Sequence, residues 1–250
     1  MKEKSKQAVV VVLEAAAWLL LVYPLGLLFG LLFWFGRLCR AIKVLHIERL
    51  ACLQELDKVI IASKHPSVID PFLVAVLLFE YYVFNPWRHA PLIVADRLLF
   101  YDSWWFWPFR LVMVPVDRSD GRKKAAALLR IKKAVDLGRP IIIFPEGGRT
   151  FKGKEGEFLY SKKGARIRFL QEGIGLLVRK TGATVIPVGI DGSDRVVPNS
   201  EKKLLTRFIF WKRIVISVGK PMKFSTDTPR EQVTQEIASA ILALVDEASA

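Results

Sequence analysis

The sequence predicts an α/β fold, a mixed and largely parallel sheet flanked by helices, preceded by a hydrophobic, membrane-binding helical pair. Three observations carry this. Beyond Arg37, short β-branched runs alternate with helical patterns, the order that builds a mostly parallel sheet. Between Ala8 and Gly36 the only charged residue is Glu14. A chain of 250 residues with 52% apolar and 25% charged side chains has the composition of one that buries a core. The expected organisation is an N-terminal membrane-associating segment over residues 1–45 and an α/β domain over residues 46–250.

The first segment is longer than a minimal span. Its 29 residues from Ala8 to Gly36 would extend roughly 43 Å as a straight helix, against about 30 Å of bilayer hydrocarbon. Pro24-Leu25-Gly26 interrupts the run, so two short helices with a break compete with one tilted crossing, and a buried core helix is the alternative to both. Lys2, Lys4 and Lys6 precede the run and Arg37, Arg40 and Lys43 follow it. These flanks fix no orientation for a single crossing, whereas a re-entrant or interfacial pair with both ends in the cytoplasm satisfies them. Glu14 inside the apolar part, without an A-x-A site at its end, argues against a cleaved secretory signal.

In the body, the expected strands are Val59–Ser63, Leu92–Ala95, Met113–Asp117, Pro140–Phe144, Thr184–Ile190 and Ile214–Val218. Pro71–Glu80 is a helix-like run. From Arg122 to Leu137, Ala127, Leu128, Ile131, Ala134 and Val135 share one helical face, with Lys123, Arg130 and Lys133 elsewhere. Phe151–Ala165, with Gly153, Gly156 and Gly164 among charged residues, reads as a mobile surface loop. The last helix is expected to open at a capping box, Thr228-Pro229-Arg230-Glu231, and to bury Val233, Ile237, Ile241 and Leu244.

Charge and cysteine usage narrow the class. Thirty-eight Lys and Arg against 24 Asp and Glu leave a net +14. Residues 1–36 hold only three of the positive and two of the negative charges, so the excess belongs to the body, which should attract phosphate-bearing partners such as nucleic acid or anionic membrane. Cys39 and Cys52 form neither a disulfide framework nor a CxxC pattern and suit a reducing, cytosol-facing setting. Glycine and proline show no fixed period, which removes collagen-like and solenoid folds.

Four segments carry chemistry. His65-Pro66-Ser67-Val68-Ile69-Asp70 follows a strand, at the kind of strand-to-helix turn where open α/β sheets build sites. Asp70 before Pro71, or Ser67 with Asp70 three residues on, would equally serve as a helix cap. His46 and His89 have no acid at this spacing and read as structural. The apolar strand through Phe144 stops at Pro145-Glu146-Gly147-Gly148-Arg149-Thr150. Glycines there admit a ligand close to the backbone, and Arg149 offers a planar fork matching phosphate oxygens, although a turn with a surface arginine is the plainer alternative. Val114-Pro115-Val116-Asp117-Arg118 repeats the pattern of an apolar strand ending in charge. Val185–Ile190 contains Pro187, which a sheet tolerates mainly at an edge or a bulge.

In this order and spacing, HPSVIDP, VPVDR, FPEGGRT and VIPVGI resemble the four blocks of the 1-acylglycerol-3-phosphate acyltransferases and their glycerolipid acyltransferase relatives. The resemblance covers about residues 59–222, including Gly219-Lys220-Pro221. It implies that His65 is the catalytic base and Asp70 its orienting acid. Arg118 and Arg149 would bind the acceptor's phosphate, with Glu146, Gly147 and Thr150 forming part of that pocket, and Pro187 matches the last block. Lys64 stands where the family usually has Asn, Gly148 where it has Thr, and Thr150 where it has Ser. The bulky run Trp104–Phe109 replaces a glycine common ahead of the second block's strand. The implied reaction moves an acyl chain from a thioester to lysophosphatidate, giving phosphatidate for phospholipid synthesis; glycerol-3-phosphate or another lysolipid is the alternative acceptor.

That chemistry suits the residues. The acceptor alcohol must lose a proton as it attacks, which a neutral imidazole near pH 7 can take, with an acid fixing its tautomer. Both cysteines lie far in sequence from the motifs, so direct transfer is expected rather than an acyl-enzyme. A thioesterase or lipase would need a G-x-S-x-G turn, and none occurs. No metal set is visible, and no cofactor is expected beyond acyl-CoA or acyl carrier protein as co-substrate. Expected partners are that donor, lysophosphatidate and membrane lipids; nucleic acid, favoured by charge alone, is not expected. The expected location is the membrane at its cytoplasmic face, where anionic lipid attracts the basic body. Trp104, Trp105 and Trp107 would anchor at that interface, line an acyl tunnel, or simply pack.

Overall fold

The computed structural model describes residues 16, 18–84, 90–117, 120–152, 157–198, 209 and 211–250. Trp18–Val22 forms a π-helical turn that runs directly into α1 (Tyr23–Leu38). The break expected at Pro24-Leu25-Gly26 does not occur. Pro24 lies in the first turn of α1, where a missing N–H costs little, and the wider π turn before it relieves the clash of its ring with preceding carbonyls. Residues 1–15, on which the expected helical pair also rests, lie outside the described residues.

One face of α1 is docked on the body. Val22 and Phe33 are buried, the Phe29 ring meets Phe72 at 5.8 Å, and the Tyr23 hydroxyl donates to the Val83 carbonyl at 2.8 Å. Leu20, Leu31, Trp34 and Leu38 on the remaining surface are exposed. Leu19–Leu38 is long and apolar enough to cross a membrane.

The rest of the chain alternates strand and helix, and the described residues hold three strands beyond the six expected: β1 (Ile42–Leu45), β2 (Val59–Ser63), α2 (Asp70–Leu77), β3 (Leu92–Asp96), β4 (Met113–Val116), α3 (Gly121–Asp136), β5 (Ile141–Ile143), β6 (Phe158–Tyr160), β7 (Arg166–Arg168), α4 (Gly173–Thr181), β8 (Thr184–Asp191), β9 (Ile214–Val218) and α5 (Arg230–Ser249). Seven strands form one sheet in the order β1-β9-β8-β2-β5-β3-β4. β8, β2, β5, β3 and β4 are parallel, β9 runs against β8, and β1 is parallel to β9. Strands buried on both faces read as continuous apolar runs, and the layers explain why. Ile61, Ile93, Ile142 and Ile186 pack beneath α1 and α2, while Ile60, Leu92, Ile141 and Val185 pack beneath α3, α4 and α5.

Three local expectations change. β6 and β7 pair as an antiparallel hairpin, so Phe151–Ala165 is partly strand rather than loop throughout. The capping box before α5 does not form: Pro229 is extended and takes the N-cap position without a side-chain bond, and Glu231 pairs with Arg230 instead. Pro187 sits in an interior strand, and it is tolerated there through a bulge. Val185 bridges Met222 and Val188 pairs with Val218, so the β9 side carries one extra residue opposite Pro187, where no N–H is required of it. His46, read as structural, bonds Glu247 of α5 at 2.6 Å; His89 lies outside the described residues.

Candidate active site

β2 and β5 are direct neighbours, Ala62 opposite Ile143, so the loops leaving their carboxyl ends meet. The His65 N–H donates to Glu146 Oε1 at 2.8 Å, and the Thr150 N–H donates to the His65 carbonyl at 2.7 Å. The main chain of the histidine is therefore gripped from both sides by the FPEGGRT loop. Glu146 Oε1 also accepts from the Thr150 hydroxyl at 2.7 Å, and Oε2 accepts from the Arg168 N–H at 2.9 Å. Glu146 and Thr150 are 1% and 0% exposed. They are buried as a frame behind the loop whose Gly147 and Arg149 line a cavity.

The frame has its own electrostatics. Burial pushes the Glu146 carboxyl up, opposed by its three hydrogen-bond partners and by the charge of Lys64. Lys64 is buried in turn, which pushes its ammonium down against the pull first of Glu146 and then of Asp191, Asp194 and Asp70. Its Nζ lies 5.5 Å from the centre of the Phe151 ring.

The ring of His65 is set by Asp70. Its Nδ1 lies 3.0 Å from Asp70 Oδ2, and the same oxygen accepts the Ser67 N–H at 2.6 Å. One carboxylate oxygen thus holds both the imidazole and the Ser67 main chain, while the helix itself begins after Ile69 without a side-chain cap bond. Asp70 is fully buried in the first turn of α2, where a helix N-terminus favours a carboxylate. The Ser67 hydroxyl is buried and donates to the Val197 carbonyl at 2.9 Å. With Nδ1 engaged, Nε2 is the nitrogen left for a substrate. Phe144 packs against the imidazole with ring centres 4.3 Å apart.

His65 lines a cavity of about 360 Å³ together with Gly147, Gly148, Arg149, Lys152 and Arg168. Asp96, Phe100 and Met113 contribute to its lining from the β3 and β4 side. Gly147 adopts φ +75°, and a β-carbon there would come 3.1 Å from Gln171 Cγ, so this turn needs glycine. Burial pushes the Arg149 guanidinium down, offset by Asp70. Through Phe72, Ile93 and Met113 the cavity adjoins an apolar recess of about 70 Å³ under α1, lined by Val22, Tyr23, Gly26 and Phe29. An acid-backed imidazole beside three cations and one acid, Asp96, is an arrangement able to accept a proton next to a bound anion.

A family model described as Acyltransferase matches residues 41–191, more than half of the chain and every element just described around His65 and Arg149. The chain belongs to the acyltransferase family. Over 93 residues this acyltransferase is 31% identical to 1-acyl-sn-glycerol-3-phosphate acyltransferase BAT2, chloroplastic, of Brassica napus, covering 37% of this chain and 24% of that protein. Over 56 residues it is 45% identical to the 1-acyl-sn-glycerol-3-phosphate acyltransferase of Helicobacter pylori, 22% of each. The acyltransferase thus spans about a quarter of the length of these relatives. Its fold matches the crystal structure of PlsC, the 1-acyl-sn-glycerophosphate acyltransferase of Thermotoga maritima, with a TM-score of 0.63 at 18% identity, covering 92% of this chain and 80% of that one.

Of the residues that the sequence singles out, His65, Gly147 and Arg149 reach the cavity and Asp70 stands behind His65; Arg118 lies outside the described residues. Asp96, Lys152 and Arg168 were not foreseen. The signal for Arg168 was present in Arg166-Ile167-Arg168, a charged-apolar-charged alternation around a fully buried isoleucine, the mark of a half-buried strand. Within the aromatic run Phe109 lines the recess while Trp104 and Trp107 are 66% and 50% exposed, and Phe100 ahead of the run lines the cavity.

Proposed function

We propose that this acyltransferase moves a fatty acyl chain from acyl-CoA or acyl carrier protein to the free hydroxyl of lysophosphatidate, releasing phosphatidate and the donor's thiol. The observation that carries this reading is the 3.0 Å contact of His65 Nδ1 with Asp70, beside a cavity that Arg149 also lines. His65 Nε2 takes the proton of the acceptor hydroxyl as its oxygen attacks the thioester carbonyl. Asp70 holds the tautomer that leaves Nε2 unprotonated and stabilises the imidazolium that forms. Collapse of the tetrahedral adduct breaks the C–S bond, and the imidazolium returns the proton to the departing sulfur. Arg149 holds the acceptor phosphate, joined by Arg118 in the family's pattern.

The surroundings support a membrane-borne acceptor. The recess under α1 offers apolar walls to an acyl chain within reach of His65. The exposed apolar face of α1, with Trp104 and Trp107, suits the headgroup and acyl boundary of a bilayer, and the net positive charge favours its anionic cytoplasmic leaflet. Because α1 lies with one face on the body from Val22 to Phe33, it is read as seated in one leaflet rather than crossing.

The test is a panel of donors and acceptors. Purified protein in mixed micelles is given labelled acyl-CoA or acyl carrier protein with lysophosphatidate, glycerol-3-phosphate or other lysolipids, and products are identified by mass. Phosphatidate is the expected product, and His65→Ala should lower its formation by about 10²–10⁴-fold while melting like the parent. Product from another acceptor alone would replace the substrate assignment, and near-parental turnover in the variant would remove His65 as the base.

A further inference from the structure

We propose that Arg168 is a specificity-determining residue of the acceptor site: a second guanidinium beside Arg149 that binds the acceptor's phosphate, in a position that the bare backbone of Gly148 makes available. The proposal rests on the phosphate-bearing acceptor assigned above and names a residue outside the four sequence blocks.

The hairpin of β6 and β7 carries Arg168 back over the FPEGGRT loop. Its own N–H is bonded to Glu146 Oε2 at 2.9 Å, the carboxylate whose other oxygen holds the main chain of His65. Arg168 and the catalytic histidine are therefore registered to each other through one buried side chain. The guanidinium is steered by Glu157, whose Oε2 accepts from Nη2 at 2.7 Å from a largely solvated position, 44% exposed. On the other side, Nη1 lies 3.0 Å from where a β-carbon on residue 148 would stand. A side chain at 148 would contest the space that the guanidinium fills. Arg168 Nε is buried and has no hydrogen-bond partner among the described residues.

Charge gives the ligand class. Arg149, Lys152 and Arg168 line one cavity. A phosphate monoester carries about −1.5 to −2 charge near pH 7 and three strongly accepting oxygens, more than one guanidinium satisfies. Against the three cations the same lining holds one carboxylate, Asp96, so the cavity carries a positive excess that a neutral glycerol headgroup would not use. Arg168 therefore selects phosphate monoester acceptors over uncharged glycerides.

The experiment uses the full chain in mixed micelles, with KM measured for lysophosphatidate, for monoacylglycerol and for the donor. Arg168→Gln retains the main-chain bond to Glu146. It should raise the lysophosphatidate KM by about 10–100-fold, the loss of a charge-assisted hydrogen bond, with donor KM and turnover at saturating acceptor unchanged. Arg168→Lys should recover part of that loss. Gly148→Val should raise the same KM in the parent and add nothing in the Arg168→Gln background, because the group it displaces is gone. The monoacylglycerol KM should not move. An unchanged lysophosphatidate KM in Arg168→Gln, alongside a raised one in Arg149→Gln, would overturn the role of Arg168 and leave the proposed function standing. Additive effects of the 148 and 168 changes would overturn the link between them. Failure of the parent to use any phosphate-bearing acceptor would overturn both readings.

Discussion

His65 is constrained twice, by Asp70 at its ring and by Glu146 and Thr150 at its main chain, and the second constraint is the less obvious from sequence. A histidine and an acid five apart announce themselves, as does an arginine at the end of an apolar strand. A glutamate in the same motif looks like one more polar group for a ligand, because burial is a property of the fold and not of the residue. Glu146→Gln tests the frame directly. It turns one accepting oxygen into a donor that faces other donors, which should cost about 1–3 kcal/mol of stability in a denaturation experiment and lower turnover as His65 loses its register. The pH dependence has a definite sign. Burial keeps the Glu146 proton on in the folded chain above the pH at which the unfolded chain, near the ordinary value of 4.5, releases it. The unfolded state therefore binds fewer protons over that interval, and stability falls as pH rises from about 4.5 toward the folded value. Denaturation between about pH 4 and 7 should show the parent declining relative to the Gln variant, which lacks this titration.

At the level of elements, the strands leading to the site were legible because they are short, β-branched and covered on both faces. What was hidden depends on contacts distant in sequence. β1 lies in an amphipathic stretch and becomes a strand by pairing with β9, and the β6 and β7 hairpin is surrounded by the charged residues and glycines that mark loops. Pro24 misled for a different reason: a proline breaks a helix in its interior, but here the preceding π turn converts its position into a first turn. α5 shows close packing on the sheet. It lies so flat on β8 that a β-carbon at Gly189 would stand 2.7 Å from Leu244 Cβ and from its carbonyl carbon. Backbone cannot yield as a flexible side chain does, so Gly189→Ala should destabilise by about 1–3 kcal/mol or more, read as a lowered melting temperature.

For the whole molecule, the position of α1 bears on how the enzyme would meet a bilayer under the proposed function. A helix docked along one side of a domain cannot leave that domain to traverse a membrane without surrendering Phe29, Phe33 and the Tyr23 hydrogen bond. Ser5→Cys and Lys43→Cys, each in a background with Cys39→Ser and Cys52→Ser, should both be shielded from an impermeant thiol reagent applied to intact cells. Labelling at position 5 with position 43 protected would establish a crossing and overturn the one-leaflet arrangement. The mutual grip of the two loops around His65 carries a lesson for recombination between related sequences. HPSVIDP and FPEGGRT stand 81 residues apart as measured from His65 to Glu146, yet they close on each other at the His65 main chain, whose N–H meets the Glu146 carboxylate and whose carbonyl meets the Thr150 N–H. They behave as one cassette split across the chain. A chimaera inheriting only one of them joins halves shaped for different partners, so crossover points belong outside the whole interval from the first loop to the second.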